Sequence, residues 1–131
     1  MRKLIFFALN FCLVLSVFSQ QFIRKDSLRG NLTELRTCYD VNFYDLFVMV
    51  DEQEKSLEKS YNIIHFTVVS DFDKMQIDLA FNLEIIGIEF KGVKLEYTRE
   101  FDAVYIQLPS ALKKGDKANI KILYRGYPRE A

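Results

Sequence analysis

Four stretches of this chain alternate apolar and polar residues one for one. That period of two limits the fold more than any other feature. Met75, Ile77, Leu79 and Phe81 are separated by Gln76, Asp78 and Ala80, and Val93, Leu95 and Tyr97 by Lys94 and Glu96. Val104, Ile106 and Leu108 share one side of a third stretch, and Ala118, Ile120, Ile122 and Tyr124 one side of a fourth. Successive side chains of a strand point to opposite faces, so this spacing predicts half-buried strands with one wet face and not helices. Two further stretches, around 43–50 and 62–69, are apolar on both faces, which predicts strands that are central or covered on both sides. Turn signals lie between them: the charged connection 51–60, "SDFD", "KGVK" around Gly92, "REFD", and a longer loop "PSALKKGDK". The expectation is an all-β fold, an antiparallel curved sheet or sandwich-like domain of about seven strands.

The N-terminus has a different pattern. "MRK" is a short basic start, "LIFFALNFCLVLSVF" an apolar run, and Val17 and Ser19 are small enough for a signal-peptidase site. The run is shorter than the roughly 20 apolar residues a spanning helix needs. The expected organisation is a cleaved signal peptide at 1–19, a polar lead-in arm at 20–35 and one β-domain at 36–131. Such a chain is exported, to the periplasm or the extracellular space, and leaves the membrane after cleavage. Within the arm, Asn31 followed by Glu34 offers a capping pair for one helical turn, and "NLT" at 31–33 matches a glycosylation sequon. With 18 basic and 18 acidic residues the chain is formally neutral. A nucleic-acid partner is excluded, because it requires a cationic surplus to displace counterions.

Candidates for chemistry are few. Cys12 belongs to the leader, which leaves Cys38 alone and no internal disulfide framework. Cys38 reads as a small hydrophobe near a strand start; a nucleophile would need His65, the only histidine, beside it. His65 sits inside "NIIHFTVV", where a hydrogen-bonded structural role fits better. A zinc site with its usual histidines, a serine nucleophile elbow and a glycine-rich phosphate loop are all missing. Asp71, Asp73, Asp78 and Glu89 supply carboxylates, but their separation is not legible, and Asp71 with Asp73 falls short of a calcium shell. No catalytic, cofactor-binding or metal-binding residue is assigned to this chain.

The order of short motifs resembles the N-terminal, saddle-like β-domain of secreted bacterial zinc aminopeptidases of the aminopeptidase N family. The carriers are Arg36, Tyr39-Asp40-Val41, Tyr44-Asp45-Leu46 and Val50-Asp51, then "IIHF" at 63–66 and "MQIDLAFNLEI" at 75–85. They continue with Gly92, Leu95, Tyr97, Arg99 and Glu100, the "AVYIQLP" stretch at 103–109, and Tyr124, Gly126 and Pro128. One departure is Lys59-Ser60-Tyr61-Asn62, where the family has a glycine-containing turn entering its second strand.

The resemblance implies a domain incomplete at its C-terminal side, whose catalytic partner domain would lie in the same polypeptide. In the family that partner holds zinc and hydrolyses peptides from their N-termini. This chain alone would be a non-enzymatic scaffold, with the parent a zinc metallo-aminopeptidase. The alternative is a free-standing exported β-sandwich that binds a protein or glycan partner through aromatics such as Tyr39, Tyr44, Tyr61, Tyr97, Tyr105 and Tyr127.

Overall fold

The structure is a computed structural model that describes residues 23–128. The expected signal peptide at 1–19 lies outside the described residues. Among these residues two short helices, α1 (Arg24–Gly30) and α2 (Glu34–Thr37), precede the strands. Nine strands follow: β1 (Tyr39–Phe47), β2 (Val50–Asp51), β3 (Ser56–Val68), β4 (Phe72–Asp78), β5 (Leu83–Phe90), β6 (Val93–Lys94), β7 (Tyr97–Glu100), β8 (Ala103–Leu112) and β9 (Lys117–Gly126). They form two antiparallel sheets. The larger runs β1-β3-β9-β5-β6, with β2 paired to the start of β3, and the smaller runs β4-β8-β7.

The alternation read from the sequence decides which sides meet. Ile64, Phe66 and Val68 of β3 and Ile120, Ile122 and Tyr124 of β9 are buried. They share one core with Phe72, Met75 and Ile77 of β4 and Val104, Ile106 and Leu108 of β8. Tyr39 and Phe72 continue this contact, with Phe66 set 5.5 Å edge-on from Tyr39 and 6.2 Å from Phe72. Each such side chain contributes about 1.5–3 kcal/mol by leaving water.

Several expectations are refined by the tertiary structure. The stretch 91–98 is two strands, β6 and β7, because β6 pairs with β5 of the large sheet and β7 with β8 of the small one. The turn at Lys91-Gly92 places both residues at positive φ, 50° and 77°, the signature of a tight hairpin. The charged connection is shorter than expected: β3 begins at Ser56, so Lys59–Asn62 is strand and not an entering turn. The irregularity there is a register shift between Leu57 and Ser60 against β9. The loop from Pro109 is shorter too, because β8 runs on to Leu112. Its register with β4 jumps from Lys74–Gln107 to Phe72–Leu112, an interruption that accommodates a proline with no N–H to donate.

The arm is a strap held by charge. Neither helix contains a fully buried residue. Arg24 pairs with Glu100, Arg36 with Asp78, and Arg29 reaches Asp102 at 2.8 Å. Asp102 is only 4% exposed and also accepts from the Phe81 amide at 2.8 Å. Thr33 caps α2 without a side-chain bond to it; its hydroxyl instead lies 3.5 Å from the Gln76 carboxamide oxygen. The capping pair expected at Asn31 and Glu34 is therefore not what starts the helix. The strap also corrects the wet face of β4: Gln76, expected in solvent, is 2% exposed.

Two motif residues acquire structural reasons. Gly126 has φ 134°, and an added Cβ would lie 2.6 Å from the Asn82 carbonyl oxygen. The Arg99 guanidinium donates to the carbonyls of Leu79, Ala80 and Leu83 at 2.7 Å each, closing the β4–β5 connection. Gly126→Ala should cost about 1–3 kcal/mol through backbone strain and crowding, read as a lower urea midpoint.

Tyr39 donates to the Gln76 carbonyl at 2.7 Å, and burial, reinforced by the neighbouring Cys38 and Tyr44, pushes its phenol from 10 up to about 12. The unfolded chain therefore ionises first. The Tyr39 contribution is complete below pH 10 and declines as pH rises toward about 12. Tyr39→Phe should lose about 1 kcal/mol at neutral pH and show a shallower stability decline above pH 10 than the unaltered chain. Urea midpoints across that range check both parts.

Candidate functional site

β1 was expected to be central or covered on both sides, and the structure overturns this. It is the terminal strand of the large sheet, paired only with β3 among the described residues. Its inner face is also uncovered, through a mismatch in sheet size. The small sheet, three strands wide, faces only part of a sheet of six.

Register assigns each side chain to a face. Tyr44 and Leu46 lie opposite Ile64 and Asn62, on the side that faces the small sheet farther along. They are nonetheless 58% and 63% exposed, because the small sheet does not reach over them. Phe43, Asp45 and Phe47 lie on the other side, opposite His65, Ile63 and Tyr61. Val48, Met49 and Val50 extend the exposed apolar strip toward β2.

The outer side is organised by aromatic stacking. Phe43 stacks on the His65 ring at 4.0 Å with planes 12° apart, and Phe47 on Tyr61 at 5.2 Å and 17°. His65 Nε2 is 2.9 Å from Asp45 Oδ2, and the Lys121 ammonium lies 4.4 Å above the Tyr61 ring. His65 thus has the structural role read from the sequence, tying β1 to β3. A shallow depression of about 380 Å³ beside it is lined by Asn42, Phe43, His65, Lys117 and Asn119, with no nucleophile among them. Chemically this region offers apolar and aromatic contact, one His–Asp pair and a free row of backbone groups.

The other candidates stay apart. Cys38 is buried where α2 enters β1, its thiol directed to the Leu35 carbonyl at 3.5 Å, and burial pushes the thiol up in pKa. It shares no partner with His65. Asp71 binds Lys113 Nζ and the Lys114 amide, both at 2.9 Å, and these donors hold its carboxyl below the usual range. Asp78 serves Arg36, and Glu89 faces Lys94 and Lys121 across the sheet. The tyrosines are divided between the sheets: Tyr39, Tyr44 and Tyr61 on the larger, Tyr97 and Tyr105 on the smaller, Tyr127 beyond β9. They build no single stacking platform. Asn31 and Leu32 of the sequon are exposed between the two helices.

One feature escaped the sequence reading. A cavity of about 150 Å³ at the open margin between the sheets is lined by Leu57, Asn62, Ile77, Leu79 and Tyr124. The Asn62 side-chain oxygen is buried there and finds no hydrogen-bond partner among the described residues. An asparagine inside an apolar run was the only available signal.

No family profile matches the chain, and no curated protein matches its sequence. Solved structures do match its fold. An M1 zinc metallopeptidase from Deinococcus radiodurans, bound to a Tyr-Ser-Ala substrate, is 18% identical with a TM-score of 0.64, over 73% of this chain and 22% of that one. A two-domain M1 zinc metallopeptidase bound to L-arginine is 20% identical with a TM-score of 0.62, over 73% and 22%. Native leukotriene A4 hydrolase from Saccharomyces cerevisiae is 12% identical with a TM-score of 0.54, over 68% and 15%. The all-β sandwich described above is therefore a fold found within M1 zinc metallopeptidases, and this chain spans 22% of the length of the two metallopeptidases and 15% of the hydrolase.

The two metallopeptidases are zinc proteins, but the residues described here do not fit a zinc ion. No group of three His, Cys, Asp or Glu side chains stands together among them. His65 has a single carboxylate, Asp45, in reach, whereas zinc takes about three protein ligands even in an open catalytic site.

Stable monomers seldom leave so contiguous an apolar strip in water. The folded chain should therefore bind a hydrophobic fluorescent dye. Replacing Tyr44 and Leu46 together by lysine should lower that fluorescence while the melting temperature changes by only a few degrees, since both side chains are more than half exposed.

Proposed function

We propose that this chain is the N-terminal, non-catalytic scaffold of an exported zinc metallo-aminopeptidase. The observation that carries the reading is the fold likeness to M1 zinc metallopeptidases, which covers 73% of this chain but only 22% of theirs. Under this reading the zinc ligands and the residues that cleave peptides belong to another part of the same polypeptide. This segment supplies a rigid sandwich against which that part packs. The exposed strip of β1 and β2 supports the assignment, because a scaffold needs an apolar surface to offer. The expected signal peptide at 1–19, with export to the periplasm or beyond, suits the same role.

The test is the size of the native product. An antibody against 51–60 recognises a segment whose turn, Glu52–Lys55, is exposed in the folded chain. The exported fraction should contain a species several times heavier than this chain's 15.4 kDa, and that species should lose aminopeptidase activity on zinc removal. A product of the mass of this chain less its leader, with no heavier form, overturns the reading.

A further inference from the structure

β3 carries one side chain that the core does not account for. Ser60, Asn62, Ile64 and Phe66 alternate along its inner face, opposite Tyr124, Ile122, Ile120 and Ala118 of β9. Ile64 and Phe66 are apolar and buried, as this row requires. Ser60 is buried too, and its hydroxyl accepts from the Met49 amide at 3.1 Å. Asn62 has no such answer. Its side-chain oxygen is buried, and no donor among the described residues reaches it. A buried acceptor without a donor is destabilising, whereas an apolar group of the same shape is tolerated. Folded proteins hold few such atoms, and each calls for a partner.

The surroundings define that partner. The Asn62 side chain lines the cavity of about 150 Å³, whose other walls include Leu57, Ile77, Leu79, Leu83 and Tyr124. An apolar cavity of about 150 Å³ takes a benzene-sized ring. A ring tipped with one donor fills the space and answers the oxygen together. The cavity also adjoins the exposed strip. Leu46 of β1 stands opposite Asn62 on the same face and is 63% exposed. The proposed parent has the chain to supply a ring, since this segment matches only 22% of an M1 zinc metallopeptidase of the same fold.

We propose that one aromatic side chain bearing a hydrogen-bond donor, a tyrosine or tryptophan from the rest of the same polypeptide, inserts into this cavity and donates to the Asn62 carboxamide oxygen. Under the scaffold reading, on which this rests, the apolar strip supplies contact area and Asn62 supplies direction. A ring without the donor would seal the oxygen in unanswered, so the cavity selects one seating of the second part over others.

Two small probes separate the donor from the ring. Phenol offers a ring with an O–H, and benzene the ring alone. Added to the purified chain, phenol should shift the Asn62 side-chain amide resonances and saturate. Asn62→Leu is close in volume and removes the acceptor, so the preference for phenol over benzene should fall about tenfold. Leu79→Phe fills the cavity from its wall and should weaken both probes. The heavier native product gives a second readout. In this chain Asn62→Leu should raise the melting temperature, because an unanswered acceptor is gone. In the heavier product it should lower the melting temperature, because the seated donor loses its partner. Asn62 resonances that ignore phenol, an unchanged phenol preference in Asn62→Leu, or a melting temperature raised by Asn62→Leu in both forms would each overturn the proposal. The antibody decides the scaffold reading by itself. A native product with no heavier form removes both readings, and a heavier form stabilised by Asn62→Leu removes this one alone.

Discussion

The contact between the two inner faces carries this structure. Phe66, Ile120 and Ile122 from the large sheet and Met75, Val104 and Ile106 from the small one are all at most 2% exposed. Among the described residues no disulfide supplements them, since Cys38 is free and buried. Dry packing of β-branched and aromatic side chains on facing pleats is what fixes the register of β3 with β9 and of β4 with β8. A one-residue slip in either pair would turn the apolar set into water. The polar devices at the ends depend on that packing. Arg99 closes the β4–β5 connection and Gly126 passes close to Asn82 only because the sheets hold those segments together.

The same contact explains why one side of the described sheet is exposed and apolar. A small sheet three strands wide buries the face of β9 and the end of β3 and leaves the far half of β1 without cover. The opposite flank is treated differently. There the arm lies across β4 and the start of β8, anchored by Arg24, Arg29 and Arg36 on three carboxylates. Exposed ion pairs of this kind contribute little each, of the order of 0–1 kcal/mol, but Asp102 is buried and would be costly without its partners. One flank is thus closed by polar complementarity and the other is, among the described residues, open and apolar.

Much of the core was legible in the sequence. Ile106, Leu108, Ile120, Ile122 and Tyr124 stand where alternation put them, because a period of two maps directly onto the faces of a strand. The motif residues were legible only as a pattern. Arg36 and the Asp of "MQIDL" proved to be an ion pair, and Tyr39 proved to bond the Gln76 carbonyl beside it. Such partners are separated by 37 residues or more, and local spacing holds no information about them. The burial of Gln76 was misread for the same reason, since the strap that covers it comes from a remote part of the chain.

The sequence by itself determined the class of fold, many of the residues of the inner faces and the hairpin at Lys91-Gly92. These follow from local periodicity and from the φ angles that glycine permits. Only the tertiary structure decided that β1 is an edge and not a centre, that β6 and β7 belong to different sheets, and that His65 is spent on Asp45 and Phe43. Apolarity on both faces states that a strand must be covered. Which neighbour covers it is set by sheet order, and sheet order depends on contacts between strands far apart in the chain.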